Sequence, residues 1–113
     1  MTLIYHIAFE PHWRAAKKLG FYGGGETYDR DGFIHFSTAE ELQTSADLYF
    51  SGMPDLLLIA VLDHKLGKAL KWEKTRDNKL FPHLYGFFNI TDAEWVKPLQ
   101  LGANGKHKIP HLE

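Results

Sequence analysis

The sequence predicts a mixed α+β domain. Short windows in which apolar residues alternate, or run together between polar residues, recur along the chain and are typical of β-strands. In only two windows does the apolar period change to about 3.6, which is typical of amphipathic helices. The chain has 113 residues, of which 44% are hydrophobic and 24% charged, a composition typical of one folded domain. We therefore expect a single domain over residues 1–113.

The first half of the chain predicts two strands, a helix and a glycine-rich loop. Leu3–Phe9 is rich in β-branched and aromatic residues, which favours a strand. Pro11–Leu19 is predicted to be a helix, because proline stands in its first turn and Gly20 follows its last. Three consecutive glycines within Phe21–Glu26 predict a loop. A second strand is predicted over Phe33–Ser37.

The second half predicts one longer helix among further strands. Apolar residues recur at helical spacing over Ala39–Ser51, and Gly52 closes this window. Leu56–Leu62 is a near-continuous apolar run, which indicates a strand covered on both faces. Alternation or β-branched and aromatic content predicts the remaining strands, which are Leu70–Lys74, Leu84–Phe88 and Val96–Leu101.

Charge and composition argue against several classes of protein. With 13 basic and 14 acidic residues the net charge is −1, so no strong field favours nucleic acid, a membrane surface or an acidic substrate. The chain has no cysteine, which excludes thiol chemistry and suits a cytoplasmic protein. No signal peptide is recognised at the start, and the longest apolar run is too short to span a bilayer. We expect a cytoplasmic protein without a membrane segment and leave its oligomeric state open.

The C-terminal end of the sequence is polar. From about residue 103 onward we expect a flexible tail, because apolar periodicity is lost there. The final Leu112–Glu113 is interpreted as a cloning remnant.

The stretch Gly32–Thr38 is the first candidate for a functional site. As a strand it directs His35 and Ser37 to the same face, so an imidazole and a hydroxyl lie side by side just before a helix. Ser37 and Thr38 also fit the capping-box pattern, in which a carboxylate three residues further on completes the cap of a helix. Both roles stay open for these hydroxyls, as helix caps and as ligand contacts.

A second candidate stretch is Leu80–Phe88. In an extended segment His83 and Tyr85 project to the same side, flanked by phenylalanines. Pro82 predicts that this segment lies at the edge of a sheet or at a bulge. The aromatic residues here are expected to form core or the wall of a cleft.

Three histidines on predicted strands are expected to converge. His6, His35 and His83 each lie in a short apolar strand, where a buried imidazole needs a hydrogen-bond partner. We predict that they line one cleft, although they are far apart in the sequence.

Four blocks of sequence carry a family resemblance: Ile4–Ile7, Gly32–Thr38, Trp72–Glu73 and Phe81–Gly86. Through them nearly the whole chain resembles a family of small bacterial proteins catalogued as a domain of unknown function. That family is similar, more distantly, to the ADP-ribosyltransferase-like superfamily. The resemblance implies a mostly antiparallel, split β-sheet with two main helices, and a cleft that holds NAD.

The superfamily resemblance also implies roles for single residues. His6 is similar to the histidine of the first strand that hydrogen-bonds the ribose of NAD. Ser37 and Thr38 resemble a serine–threonine element on a later strand, and Glu73 is the nearest match to the catalytic glutamate. Lys71 stands two residues before Glu73, where the superfamily has glutamine or glutamate.

The first of three hypotheses for function is an enzyme that acts on NAD or a related nucleotide. Glu73 would stabilise an oxocarbenium-like centre, and His35 would move protons near neutral pH. NAD is implied as a cofactor by the resemblance alone. The expected catalytic residues are His6, His35 and Glu73, and the expected ligand contacts are Ser37, Thr38, His83 and Tyr85.

Two alternatives remain open at this point. A binding module would keep the cleft and its small-molecule ligand without performing a reaction. A metal-dependent hydrolase would gather His6, His35 and His83 on a divalent ion and leave one position for water. Close-spaced ligand motifs such as HExxH do not occur in the sequence.

Overall fold

The computed structural model describes residues 2–112, apart from the side chains of residues 26, 27 and 76. The strands in this range are β1 (Leu3–Phe9), β2 (Phe21–Tyr22), β3 (Ile34–His35), β4 (Leu56–Leu62), β5 (Leu70–Lys74), β6 (Leu80–Leu84), β7 (Phe88–Asn89), β8 (Ala93–Leu101) and β9 (His107–Lys108). The helices are α1 (Glu10–Leu19), α2 (Gly25–Asp31) and α3 (Leu42–Tyr49), with short 3₁₀ segments at Asp63–Ala69, Arg76–Asn78 and Ile90–Asp92. All strand pairs are antiparallel, and the predicted α+β class is confirmed. Among the described residues, every helix is too short or too polar to cross a membrane.

The larger sheet, in the order β1–β4–β8–β9, forms the centre of the core. β1 and β4 pair along all seven residues of each strand. Side chains of β4 alternate between two buried clusters, one joining Ile59 to Trp13 of α1 and the other joining Leu58 to Leu42 of α3. Because both faces of this sheet are covered, Leu56–Leu62 is apolar at every position. The predicted bounds of both strands are confirmed.

The smaller sheet, in the order β3–β6–β5, has one apolar and one polar face. Ile34 lies opposite Leu84, and each of these side chains is 1% exposed in the core. One residue along, His35 lies opposite His83 and projects to the other face, because successive strand residues alternate. The face away from the core therefore carries titratable side chains.

Pro82 lies in the middle strand of the smaller sheet, so the prediction of an edge or a bulge is wrong. The position tolerates proline because the β3 ladder ends there. The N–H of Phe36 donates to the Pro82 carbonyl at 3.0 Å, but proline has no N–H to donate in return. His35 and His83, next along the ladder, form a non-hydrogen-bonded pair, in which side chains lie closer together.

The predicted capping box at Ser37 and Thr38 is wrong. α3 begins at Leu42 instead of Ala39, and none of the described side chains caps its N-terminus. The backbone of Ser37 instead exchanges two hydrogen bonds with Tyr5, of 2.7 and 2.9 Å, so the chain is still extended at the predicted cap. A long-range pairing with β1 has overridden a local pattern.

The predicted loop Phe21–Glu26 contains two elements that the sequence analysis missed. β2 pairs with β7, and α2 begins at Gly25. Gly25 has a φ of +60°, and a Cβ there would lie 2.6 Å from Nδ1 of His12. The glycine is therefore required by backbone conformation and by the close approach of α1.

Several predicted bounds in the second half also differ from the structure. β6 covers Leu80–Leu84, so the predicted strand Leu84–Phe88 starts where the observed strand ends. β8 begins three residues earlier than predicted, at Ala93. The predicted tail contains a short strand, His107–Lys108, that pairs with β8, and Glu113 lies outside the described residues.

Candidate functional site

A cavity of about 570 Å³, hereafter the cleft, lies between the polar face of the smaller sheet and α3. Its volume is in the range of small-molecule sites. β3 and β6 contribute His35 and His83 to its wall, β1 contributes His6, and α3 contributes Tyr49. The predicted convergence of the three histidines on one cleft agrees with this arrangement.

His6 is 5% exposed, and both of its ring nitrogens are hydrogen-bonded inside the protein. Nδ1 lies 2.6 Å from the His35 carbonyl oxygen, and Nε2 lies 2.7 Å from the Tyr22 hydroxyl. Because a carbonyl oxygen only accepts, Nδ1 donates and Nε2 accepts from Tyr22. Burial lowers the pKa of His6 to about 4, so the ring is neutral near pH 7. A ligand hydroxyl reaches a ring nitrogen of His6 only by replacing one of these bonds.

Glu73 holds His83 from the neighbouring strand β5. Its Oε1 accepts hydrogen bonds from Nδ1 of His83 at 2.8 Å and from the Tyr85 hydroxyl at 2.6 Å. The bond from Tyr85, followed by that from His83, lowers the pKa of Glu73, so the carboxylate is ionised near neutral pH. Burial lowers the pKa of His83 and favours its neutral form, with the proton on Nδ1 and a lone pair on Nε2.

Nε2 of His83 is not fully enclosed, and His83 lines the cleft. The His83 ring is stacked against Phe33, with 4.1 Å between ring centroids, and its side chain is 4% exposed. In the part of the chain that the structure describes, the fully buried side-chain nitrogens without a partner are those of Trp95 and His107. Nε2 of His83 is not among them, although its only hydrogen bond is made by Nδ1. This nitrogen is therefore accessible to a ligand.

Asp31, the last residue of α2, holds His35 from the other side. Its Oδ2 lies 2.7 Å from Nε2 of His35. Arg30 donates to both oxygens of the same carboxylate, at 3.1 Å each. These bonds, first from Arg30 and then from His35, lower the pKa of Asp31 to about 2. The carboxylate is therefore ionised near neutral pH.

The other predicted site residues take different places. Ser37 is buried on the cleft wall, and its hydroxyl donates to Oγ of Ser45 at 3.1 Å. Thr38, Glu73 and Tyr85 are not part of the wall among the described residues. Glu73 and Tyr85 therefore meet the cleft only through His83.

The hypothesis of a three-histidine metal centre is not supported. The described residues contain no group of three His, Cys, Asp or Glu side chains that could hold a metal ion. His6 has both ring nitrogens bonded to protein atoms, and His35 and His83 are each bonded to a carboxylate of their own.

Three residues that bond the site histidines or their carboxylates were not predicted from the sequence. Asp31 could have been recognised as a site residue from the local sequence, because it stands four residues before His35 at a turn that leads into the candidate strand. Arg30 and Tyr22 could not, because their roles depend on how α2 and β2 pack against the sheets. Tyr22 bonds His6 across 16 positions of the chain.

These features define a small α+β domain with a cleft built from histidine, carboxylate and aromatic side chains. The model of the family described as "Protein of unknown function (DUF952)" matches residues 7–96. The chain belongs to this family, and the predicted membership of a domain family of unknown function is confirmed. The more distant likeness to the ADP-ribosyltransferase-like superfamily stays a prediction.

Solved structures of protein CC0527 from Caulobacter crescentus are similar to nearly the whole chain. The crystal structure has 39% sequence identity, covers 95% of this chain and 94% of that chain, and has a TM-score of 0.91. The solution NMR structure has 40% identity, covers 94% and 91% of the two chains, and has a TM-score of 0.82. The fold is therefore shared with a protein of nearly the same length.

A weaker match joins the chain to photosystem I P700 chlorophyll a apoprotein A2. The protein from Cyanidium caldarium is 28% identical over an alignment of 104 positions, which covers 81% of this chain and 14% of that protein. The protein from Gracilaria tenuistipitata var. liui is 28% identical over 105 residues, with 82% and 14% covered. Because the chain spans about 14% of the length of these relatives, their activity and partners do not carry over to it.

Proposed function

We propose that the cleft binds a nucleotide-like ligand and acts on it by acid–base chemistry, NAD being the ligand that the superfamily resemblance favours. The observation that carries this proposal is the Glu73–His83 pair. A buried, neutral histidine is fixed by a carboxylate, and its second nitrogen is open to a cleft of about 570 Å³. This is the arrangement that a general base requires, because the carboxylate sets the tautomer and stabilises the ring once it is protonated.

The rest of the cleft wall suits a ligand with both a flat ring and polar groups. Tyr49 and Phe81 supply aromatic surface, and Ser37 supplies a hydroxyl that can contact a ribose. Arg30 lies on the cleft wall and supplies a positive charge, which would attract a phosphate of a nucleotide. His6 supports the wall from below β3 through its bond to the His35 carbonyl.

The role of Glu73 is different from the one that the resemblance implies. Its carboxylate accepts two hydrogen bonds, from His83 and Tyr85, and does not line the cleft. We assign it the role of a positioning residue for His83 instead of a direct partner of an oxocarbenium-like centre. Tyr85, which donates to Glu73 at 2.6 Å, supports the same carboxylate.

A panel of NAD, ADP-ribose, AMP and 2′,3′-cyclic AMP tests this proposal. Thermal shift reports binding, because a ligand that binds only the folded state raises the melting temperature, and chromatography reports any product. We expect at least one nucleotide to bind and to be converted. His83→Gln should keep binding and lose turnover by roughly 100-fold or more, whereas His64→Gln, at an exposed histidine outside the cleft, should change neither.

Failure of the panel would have two distinct meanings. If no nucleotide raises the melting temperature, the ligand class is wrong. If a nucleotide binds and is recovered unchanged, the protein is a binding module, the second candidate function. That candidate is favoured by one observation, namely that the described carboxylate expected to be catalytic does not touch the cleft.

A further inference from the structure

Two carboxylate–histidine pairs meet on the polar face of the smaller sheet. Asp31 bonds His35 at 2.7 Å and Glu73 bonds His83 at 2.8 Å. The two rings belong to directly opposed residues of β3 and β6, with 5.3 Å between their centroids and an edge-to-face orientation. Both histidines line the same cleft, so one ligand can contact both.

We propose that His83 accepts a proton and His35 donates one in the same turnover, with Asp31 as the residue that positions His35 as the donor. This inference rests on the proposed function and divides the acid–base work of the same cleft between two residues. It also restricts the substrate to a nucleotide in which the leaving atom of the broken bond is an oxygen.

The division follows from which nitrogen each carboxylate occupies. Glu73 takes the proton-bearing Nδ1 of His83 and leaves Nε2, with its lone pair, available on a side chain that lines the cleft. Asp31 takes Nε2 of His35, so Nδ1 is the nitrogen that meets a ligand. His35 has a side chain that is 45% exposed, compared with 4% for His83. The Asp31 carboxylate, held by Arg30, is placed to stabilise the positive ring that His35 has when it acts as the donor.

A proton donor is useful for only some leaving groups. The nicotinamide of NAD departs as a neutral ring and needs no proton. An alkoxide leaving from a phosphodiester is strongly basic and needs one. A cleft with a dedicated donor therefore fits a bond to oxygen better than the N-glycosidic bond of NAD. Arg30, on the same wall, provides a cation for the phosphate oxygens.

The step balances with water as the only co-reactant. On a 2′,3′-cyclic nucleotide, Nε2 of His83 takes a proton from a water molecule while the oxygen of that water forms a bond to phosphorus. The bond from phosphorus to one ribose oxygen breaks, and Nδ1 of His35 gives its proton to that oxygen. The product is a nucleoside monophosphate, and proton exchange with solvent returns both rings to their starting states.

Among the described residues, the charged and titratable groups around the two rings lie on three elements and just after β6. α2 contributes Asp31 and Arg30, β5 contributes Glu73 and Lys71, β1 contributes His6, and Tyr85 directly follows β6. The pH dependence of turnover belongs to this set as a whole, since the two histidines and their carboxylates interact.

The test follows 2′,3′-cyclic AMP and NAD by phosphorus NMR with the full-length chain, and measures turnover from pH 5 to pH 9. We expect the ring of 2′,3′-cyclic AMP to be opened to a monophosphate, and the rate of turnover to have a bell-shaped pH profile. Below, cyclic AMP means this 2′,3′ compound. Asp31→Asn should reduce turnover roughly 10- to 100-fold and move the alkaline side of the profile to lower pH, with binding retained. Asp29→Asn, an exposed carboxylate on the same helix, is the matched control and should behave as the wild type.

Each of the other outcomes contradicts one named part of the proposal. Release of nicotinamide from NAD without opening of cyclic AMP would overturn the oxygen-bond assignment and keep the proposed function. Turnover of cyclic AMP with an unchanged pH profile in Asp31→Asn would overturn the role of Asp31. Cyclic AMP that binds by thermal shift and is recovered intact would overturn the division of labour, whereas absence of binding by every nucleotide would overturn the proposed function itself.

Discussion

The two main sheets of this protein differ in what their faces are used for. In the larger sheet β4 is buried on both faces, so a residue such as Ile59 or Leu58 is fully enclosed whichever way it points. The smaller sheet buries one face through Ile34 and Leu84 and leaves the opposite face to His35 and His83. The titratable residues of the candidate site therefore lie on a face that does not have to be apolar for the protein to fold. Stability and function are therefore expected to respond to different substitutions.

The largest effect on stability is expected in the larger sheet. Ile59→Ala removes a side chain that is 0% exposed, and should lower the free energy of unfolding by about 2–5 kcal/mol because a cavity is left in a two-sided core. Leu101→Ala, at a 39% exposed position of β8 in the same sheet, is the control and should change it by less than about 0.5 kcal/mol. Urea unfolding measures both. Equal effects for the two variants would contradict a core centred on β4.

The next effect is a dependence of stability on pH through His6. Its pKa is about 4 in the folded protein and 6.5 in the reference state, so the unfolded chain binds the proton more tightly. The stabilisation is complete above about pH 6.5 and is lost as the pH falls toward 4, amounting to about 3 kcal/mol. Urea unfolding between pH 4 and pH 7 measures this slope. His6→Gln should flatten it, and an unchanged slope would show that other groups dominate.

A smaller effect tests whether α2, which carries Asp31, is part of the folded unit. Gly25→Ala places a Cβ at a φ of +60° and 2.6 Å from His12, and should lower the free energy of unfolding by about 1–2 kcal/mol. Gly23→Ala, two residues earlier, meets nothing within 4 Å and has no positive φ, so it should be close to neutral. Thermal unfolding compares the two. If both are neutral, α2 does not need the observed backbone at its start.

The smallest effect on stability is expected on the polar face itself. Glu73→Gln removes an exposed charge and should leave the unfolding midpoint unchanged within error. It should, however, lower the pKa of His83 further, because the bond and charge of Glu73 are what raise it against the effect of burial. A proton NMR titration of the His83 ring measures this shift, with Glu94→Gln as a control at a carboxylate that does not contact the ring. A pKa that stays constant would mean that the Glu73–His83 bond does not persist in solution.

The same contrast explains what was predictable from the sequence. The bounds of β1 and β4 were predicted because their apolar patterns reflect burial on one sheet and need no distant information. The cap at Ser37 failed because Tyr5, 32 positions earlier, pairs with its backbone. The helix α2 was missed because a run of glycines resembles a loop when the packing of His12 against Gly25 is unknown.

The site was predictable in part for a similar reason. His35, His83 and His6 were recognised because an imidazole in an apolar strand is unusual in any context. The bonds that hold these rings were not predicted, because Glu73 reaches His83 from the neighbouring strand β5, Tyr85 bonds Glu73 from just after β6, and Asp31 reaches His35 from a helix that had not been predicted.

The central claim is that the polar face of the smaller sheet is the nucleotide site, and the most direct measurement is an NMR titration of the histidine rings with NAD and with 2′,3′-cyclic AMP. We predict that the ring signals of His35 and His83 shift together with one saturation curve, while those of exposed His64 and His111 stay in place. The claim would be contradicted if neither NAD nor 2′,3′-cyclic AMP shifted either ring, or if these ligands instead shifted signals of Trp13 and Val96, which line a separate groove of about 500 Å³ near α1.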